Sequence, residues 1–151
     1  MAIQDQYPDD FAHCYGCGRL NAHGLHVRTE WTGTEGLARF HPRPEHVAIP
    51  GFVYGGLLAS LIDCHAIGTA AAASMQAAGL RPGVEPSPRF VTAGLDVRFL
   101  KPTPMGPELL LRATAVEVTS RKVIVEVALL ADGVETVHGH VVAAPIPASM
   151  R

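Results

Sequence analysis

From Gly55 to Ala78 the chain runs through Ala, Leu and Ile with almost no polar interruption, and this stretch constrains the fold more than any other. It contains no proline and is rich in strong helix formers, so it predicts one long helix. Apolar residues fall on nearly every face, and such a helix needs cover on all sides. The segments around it can supply that cover. Leu95, Val97 and Phe99 alternate with Asp96 and Arg98, and three more strands follow over 109–118, 123–130 and 134–143. Asp132-Gly133 between the last two is a hairpin signal. Ahead of the helix, strands are expected over 24–32 and 35–41, joined by a Gly33 turn, and Pro42 and Pro44 then impose a loop. The order β-β-α-β-β-β-β predicts an α+β domain, an antiparallel sheet curled around one long buried helix. Residues 1–23 are polar and without clear period; they are expected to form an N-terminal arm ahead of a single domain over 24–145.

A chain of 151 residues suits one domain and is too short to expect two. With 48% hydrophobic and 17% charged residues it reads as compact and folded. The net charge of −2 gives no general attraction to nucleic acid. Asp63 and His65 interrupt the best candidate for a membrane-spanning run, so no membrane partner is expected. The start lacks the basic-then-apolar pattern of a signal peptide, and three cysteines are an odd number for a disulfide scaffold. A reducing cytoplasm is the expected location.

The residues that carry chemistry cluster at the start of the helix. Gly55-Gly56 opens it, so a ligand can approach backbone N–H groups that already favour negative charge. Asp63 lies inside it, and a carboxylate in so apolar a setting is either paired or used. His65 stands two positions later, on nearly the opposite helical face, which makes an Asp-His dyad within the helix a poor expectation. It reads instead as a satisfied core or interface histidine. His13, Cys14, Cys17, His23 and His26 form a second cluster. Cys-x-x-Cys with histidines can bind zinc, but the histidine spacing is short and no second cysteine pair follows. A turn covering the first strand is the expected role, with no metal, and Cys64 reads as a small core residue.

Three segments together resemble the hotdog-fold acyl-CoA thioesterases, in particular the hydroxybenzoyl-CoA and phenylacetate-pathway (PaaI-type) group. They are Cys14-Tyr-Gly-Cys-Gly18 with Asn21-Ala-His-Gly-Leu25, Pro50-Gly-Phe-Val-Tyr-Gly-Gly-Leu-Leu-Ala-Ser-Leu-Ile-Asp63, and Leu95-Asp-Val-Arg-Phe-Leu-Lys-Pro102 followed by Gly106. The resemblance implies a cofactor-free hydrolase that cleaves an acyl-CoA or related thioester. It assigns the Gly55 N–H to polarising the carbonyl and Asp63 to the nucleophile or general base. Tyr54 stands where the group usually has His, directly before the Gly55-Gly56 pair, and Thr69 matches a position where some members hold a water. It also implies a homodimer or a dimer of dimers.

Spacing bears on that last point. Gly55 and Asp63 are eight residues apart, about 12 Å along one helix, so one carbonyl cannot touch both. If both act in one reaction, the second comes from another subunit across a two-fold axis. The phosphates of coenzyme A would be met first by Arg121-Lys122, in a turn after Thr119-Ser120, or else by Arg89 or Lys101. The rivals are a hotdog protein that binds acyl-CoA without hydrolysing it, and a small metal-binding interaction module built on Cys14 and Cys17.

Overall fold

The apolar stretch forms a single helix, α1 (Gly55–Ala77), in the computed structural model, which describes residues 1–151. Gly79, at φ +76°, ends it in the left-handed conformation that glycine adopts without strain, and the Leu80 N–H closes the last turn on Met75 O at 2.9 Å. By length and composition α1 could cross a membrane, but most of it is buried within this domain.

Six strands supply the cover: β1 (Glu30–Trp31), β2 (Gly36–Phe40), β3 (Phe90–Phe99), β4 (Leu109–Val118), β5 (Val123–Ala131) and β6 (Val134–Pro145). They form one antiparallel sheet in the order β1-β2-β4-β5-β6-β3. Alternation decides which face meets the helix. In β5, Val123, Val125, Val127, Leu129 and Ala131 are all buried and the residues between them only partly so. Gly139 of β6 lets the helix seat closely, because a Cβ there would lie 2.3 Å from Ile62 Cγ2. The β5–β6 turn is the Asp132-Gly133 pair, both at positive φ, as a two-residue hairpin with the sheet's twist requires. This is the antiparallel sheet curled around one buried helix that the alternating segments predict, and the hotdog fold that the resemblance implies.

Three expectations change. The strand expected over 24–32 shrinks to Glu30–Trp31: His26 sits at φ 56°, and the Leu25 and Val27 N–H groups bond Tyr15 O and Gly16 O instead of a neighbouring strand. β3 begins at Phe90, five residues before its alternation becomes legible. Residues 1–23 are no free arm. A first 3-10 turn, Ile3–Gln6, buries Ile3 and Gln4 and is followed by buried Tyr7, and after a second turn, Asp9–Phe11, Ala12 and Cys17 also lie inward. Such a path changes direction every few residues, so its inward positions show no period.

At the opposite margin from β1, strand β3 pairs only with β6. Its outer edge is open for ten residues, and Leu95 and Phe99 there are 43% and 57% exposed.

Candidate functional site

The helix N-terminus opens on a groove. Tyr54 is its N-cap and offers no side-chain hydrogen bond to the first turn, so the leading N–H groups stay available to a ligand. The groove has a volume of about 530 Å³ and is walled by Phe52, Val53, Gly55, Leu58, Phe99 and Lys101. That is the size and apolar character of a small-molecule site, with one cation beside it. Gly55 abuts β3 directly: a Cβ there would touch the Phe99 ring at 3.3 Å. Gly56 faces elsewhere. Its missing side chain leaves room for the Tyr54 ring, which a Cβ would meet at 2.5 Å. Tyr54, half exposed, borders a separate hollow with Tyr15, His46 and Ser60. The sequence gives no hint of His46, whose carbonyl accepts the Tyr54 N–H at 2.8 Å.

Asp63 is half-buried two turns further along. Its Oδ1 accepts a hydrogen bond from the Thr92 hydroxyl of β3. Burial pushes its carboxyl above the usual range, and the Thr92 bond pulls it partly back. Thr92 adjoins a bulge, where the β3–β6 register slips between Thr92 and Gly94; bulges re-aim side chains in this way. Sequence reading missed Thr92 because it precedes the legible part of the strand.

Thr69 is not brought to Asp63. It is fully buried against β2, and its hydroxyl donates to His65 O at 2.9 Å. His65 is a satisfied core histidine. Its Nε2–H donates to Gly36 O at 3.1 Å, its Nδ1 accepts from the Thr29 hydroxyl at 2.9 Å, and burial pushes its pKa down to about 4. Gln4 completes this buried network through both the hydroxyl and the N–H of Thr29.

The four basic residues divide. Lys101 lines the groove at Gly55. Arg121 and Lys122 are exposed on the β4–β5 turn, which leaves the sheet level with Thr92, at the far end from that groove. Arg89 is not a free surface cation: its guanidinium lies over the Tyr7 ring, 4.6 Å from the centroid, with Nη1 buried and unpaired.

The cysteines come together as the sequence does not foretell. Cys64 reaches from α1 to the Cys14–Cys17 turn, and the three sulfurs lie within 4.8 Å of one another. Hydrogen bonding among the three thiols, in which either sulfur of a pair can be the donor, holds the Cys14 thiol far below its usual range. The same bonds push Cys17 up to about 12 and raise Cys64 as well.

The sequence profile described as Thioesterase superfamily matches residues 50–138, from the start of the Gly55 segment into β6. A thioesterase superfamily protein from Shewanella loihica shares 45% identity, over 92% of this chain and 98% of that one, with a TM-score of 0.70. The PaaI protein of the Escherichia coli phenylacetic acid degradation operon shares the fold at 13% identity, over 82% of this chain and 81% of that one, with a TM-score of 0.65. A Streptococcus mutans protein bound to acetyl CoA does so at 14% identity, over 80% and 88%, with a TM-score of 0.63. No curated protein matches the chain. An open helix N-terminus above an apolar groove, one half-buried carboxylate and the matched profile lead to the same place: this chain belongs to the thioesterase superfamily.

Proposed function

We propose that this thioesterase hydrolyses acyl-CoA thioesters at a site shared between two subunits. The observation that carries this reading is that Gly55 abuts Phe99 while Asp63 abuts Thr92, at opposite ends of an open edge strand. If two copies pair along β3 about a two-fold axis near its middle, the Thr92 end of one strand meets the Phe99 end of the other. Asp63 then faces the partner's Gly55. The partner's Gly55 N–H polarises the thioester carbonyl, and helix N-terminal charge stabilises the developing oxyanion. Asp63 attacks the carbonyl or removes a proton from water, and the products are a carboxylic acid and free thiol. Lys101, beside the groove, is assigned to a coenzyme A phosphate. The acetyl CoA bound by the Streptococcus mutans protein on the same fold supports a CoA thioester as substrate. Three unpaired thiols suit the reducing cytoplasm to which we assign the chain.

Mixed dimers test the shared site. Gly55→Pro removes the N–H; Gly55 has no positive φ, and Tyr54 before it is extended at ψ 127°, so proline fits the backbone there. Gly55→Pro and Asp63→Asn are each expected to be nearly inactive alone. After unfolding together and refolding, about half the dimers are mixed, each with one intact site, so about a quarter of wild-type activity returns. No recovery with mixed dimers confirmed by mass spectrometry refutes the shared site. A panel of acyl-CoA esters monitored for thiol release separates hydrolysis from simple acyl-CoA binding.

A further inference from the structure

One side-chain cluster is given no role in the hydrolysis proposed above. We propose that Cys14, Cys17 and Cys64 form a three-thiolate site for a soft divalent cation, zinc, with a fourth position open to an outside ligand.

The geometry suits the ion. Zinc–sulfur bonds of about 2.3 Å in a tetrahedron put neighbouring sulfurs about 3.8 Å apart. Cys14 Sγ and Cys64 Sγ are 3.9 Å apart, and all three sulfurs lie within 4.8 Å of one another. Closing the set needs side-chain adjustments of under about 1 Å. A disulfide fits less well. The Cys14–Cys64 pair would have to close to about 2.05 Å, and an odd third thiol would remain.

The backbone is prepared for such a site. The Cys14–Cys17 turn is tied at three points: Gly18 N–H to Cys14 O at 2.7 Å, Leu25 N–H to Tyr15 O at 2.8 Å and Val27 N–H to Gly16 O at 2.9 Å. Gly16 admits the third ligand, because a Cβ there would fall 2.1 Å from Cys64 Sγ.

The surroundings supply the missing charge. Zinc with three thiolates carries one net negative charge. Arg89, whose Nη1 is buried without a partner, lies within electrostatic reach of all three sulfurs. Tyr7, 2% exposed, has a buried hydroxyl that is likewise unpartnered, and Cys17 and Cys64 lie within electrostatic reach of it. Two unpaired buried donors beside three sulfurs are costly around neutral thiols and useful around an anionic centre. None of His13, His23 and His26 joins the set, so softness and coordination number come from cysteine alone. Zinc bound here releases the thiol protons to solvent and ties the N-terminal turn to the helix, one residue from Asp63.

The test reads metal, not turnover. Full-length protein purified under reducing conditions without chelator is analysed for zinc, stripped, and titrated with Zn²⁺ and with Co²⁺. About one zinc per chain is expected. Intense thiolate-to-cobalt charge-transfer absorption and a melting temperature raised by Zn²⁺ should accompany it. Cys64→Ser should lower metal affinity at least about tenfold and abolish the absorption. Cys14→Ser, at a half-exposed position, gives the same readout if the Cys64 variant does not fold. Protein with three titratable thiols that retains no zinc and gives no charge-transfer band overturns the site, as does unchanged binding in both serine variants. Thioester hydrolysis could fail entirely without altering either result.

Discussion

Asp63 is a carboxylate in a half-buried place, held by one hydroxyl, and its titration follows from that setting. The acid limb of kcat/KM should fall at a pH above the usual aspartate range, near 3.9. Thr92→Val removes a donor to the ionised form, so the limb should move to higher pH still; movement to lower pH would exclude Thr92 as its partner. The same shift predicts a stability effect. A carboxyl with a folded pKa raised above its unfolded value favours folding below the unfolded pKa and loses that contribution as pH rises through the folded one. At pH 7 the ionised group therefore opposes folding. Asp63→Asn should lose ~10²–10⁴-fold in kcat while its melting temperature at pH 7 stays level or rises. Retention of more than about a tenth of kcat would remove Asp63 from the chemistry. His65 titrates in the other sense. Its folded pKa of about 4 lies below the unfolded value of about 6.5, so stability is complete above pH 6.5 and falls as pH drops toward 4. The slope from this one proton is up to about 1.4 kcal/mol per pH unit. His65→Gln should lower stability at pH 7 and flatten the urea-midpoint profile between those values; an unchanged slope would mean that another group controls acid unfolding.

Helix and sheet meet through glycine where large side chains face each other. Ile62 is fully buried and fills the place a Gly139 side chain would take. Gly139→Ala is therefore expected to destabilise by about 1–3 kcal/mol in urea unfolding, although alanine suits a strand better than glycine. A neutral result would show that the helix can shift on the sheet. Long regular elements were legible in the sequence because their signals are local. The long, largely apolar, proline-free run marked α1 to within one residue of its end, and Asp132-Gly133 marked the hairpin. Gly55 and Asp63 stood out because one short motif contains both. What escaped detection rests on contacts between distant positions. Thr92 meets Asp63 from 29 residues away, and Cys64 meets Cys14 from 50. The first 23 residues misled for a different reason: irregular turns bury Ile3 and Tyr7 without any period. The packing of Arg89 escaped notice because a basic residue before a strand looks solvent-facing, and nothing local announces Tyr7 beneath it.

For the whole molecule, the open edge of β3 is where the proposed second copy would pair. Leu95→Lys places a charge on the exposed part of β3 without touching the core. At about 10 μM the variant should sediment at half the wild-type mass, keep its far-ultraviolet dichroism and lose hydrolysis along with dimerisation. An active monomer would show that each subunit holds a complete site. Strand order adds a consequence for how the chain assembles. β4, β5 and β6 are neighbours in sequence and in space, so this meander can close through short loops. β3 precedes all three in the chain yet joins on the far side of β6, so within the sheet it is held by a single neighbour. Until a partner covers it, the newly made chain shows an unpaired, partly apolar strand, the form of surface that templates misassociation. In amide exchange the β3 protons should open before those of β4, β5 and β6, and dilution that separates the proposed pair should speed them while leaving the β5 amides unchanged.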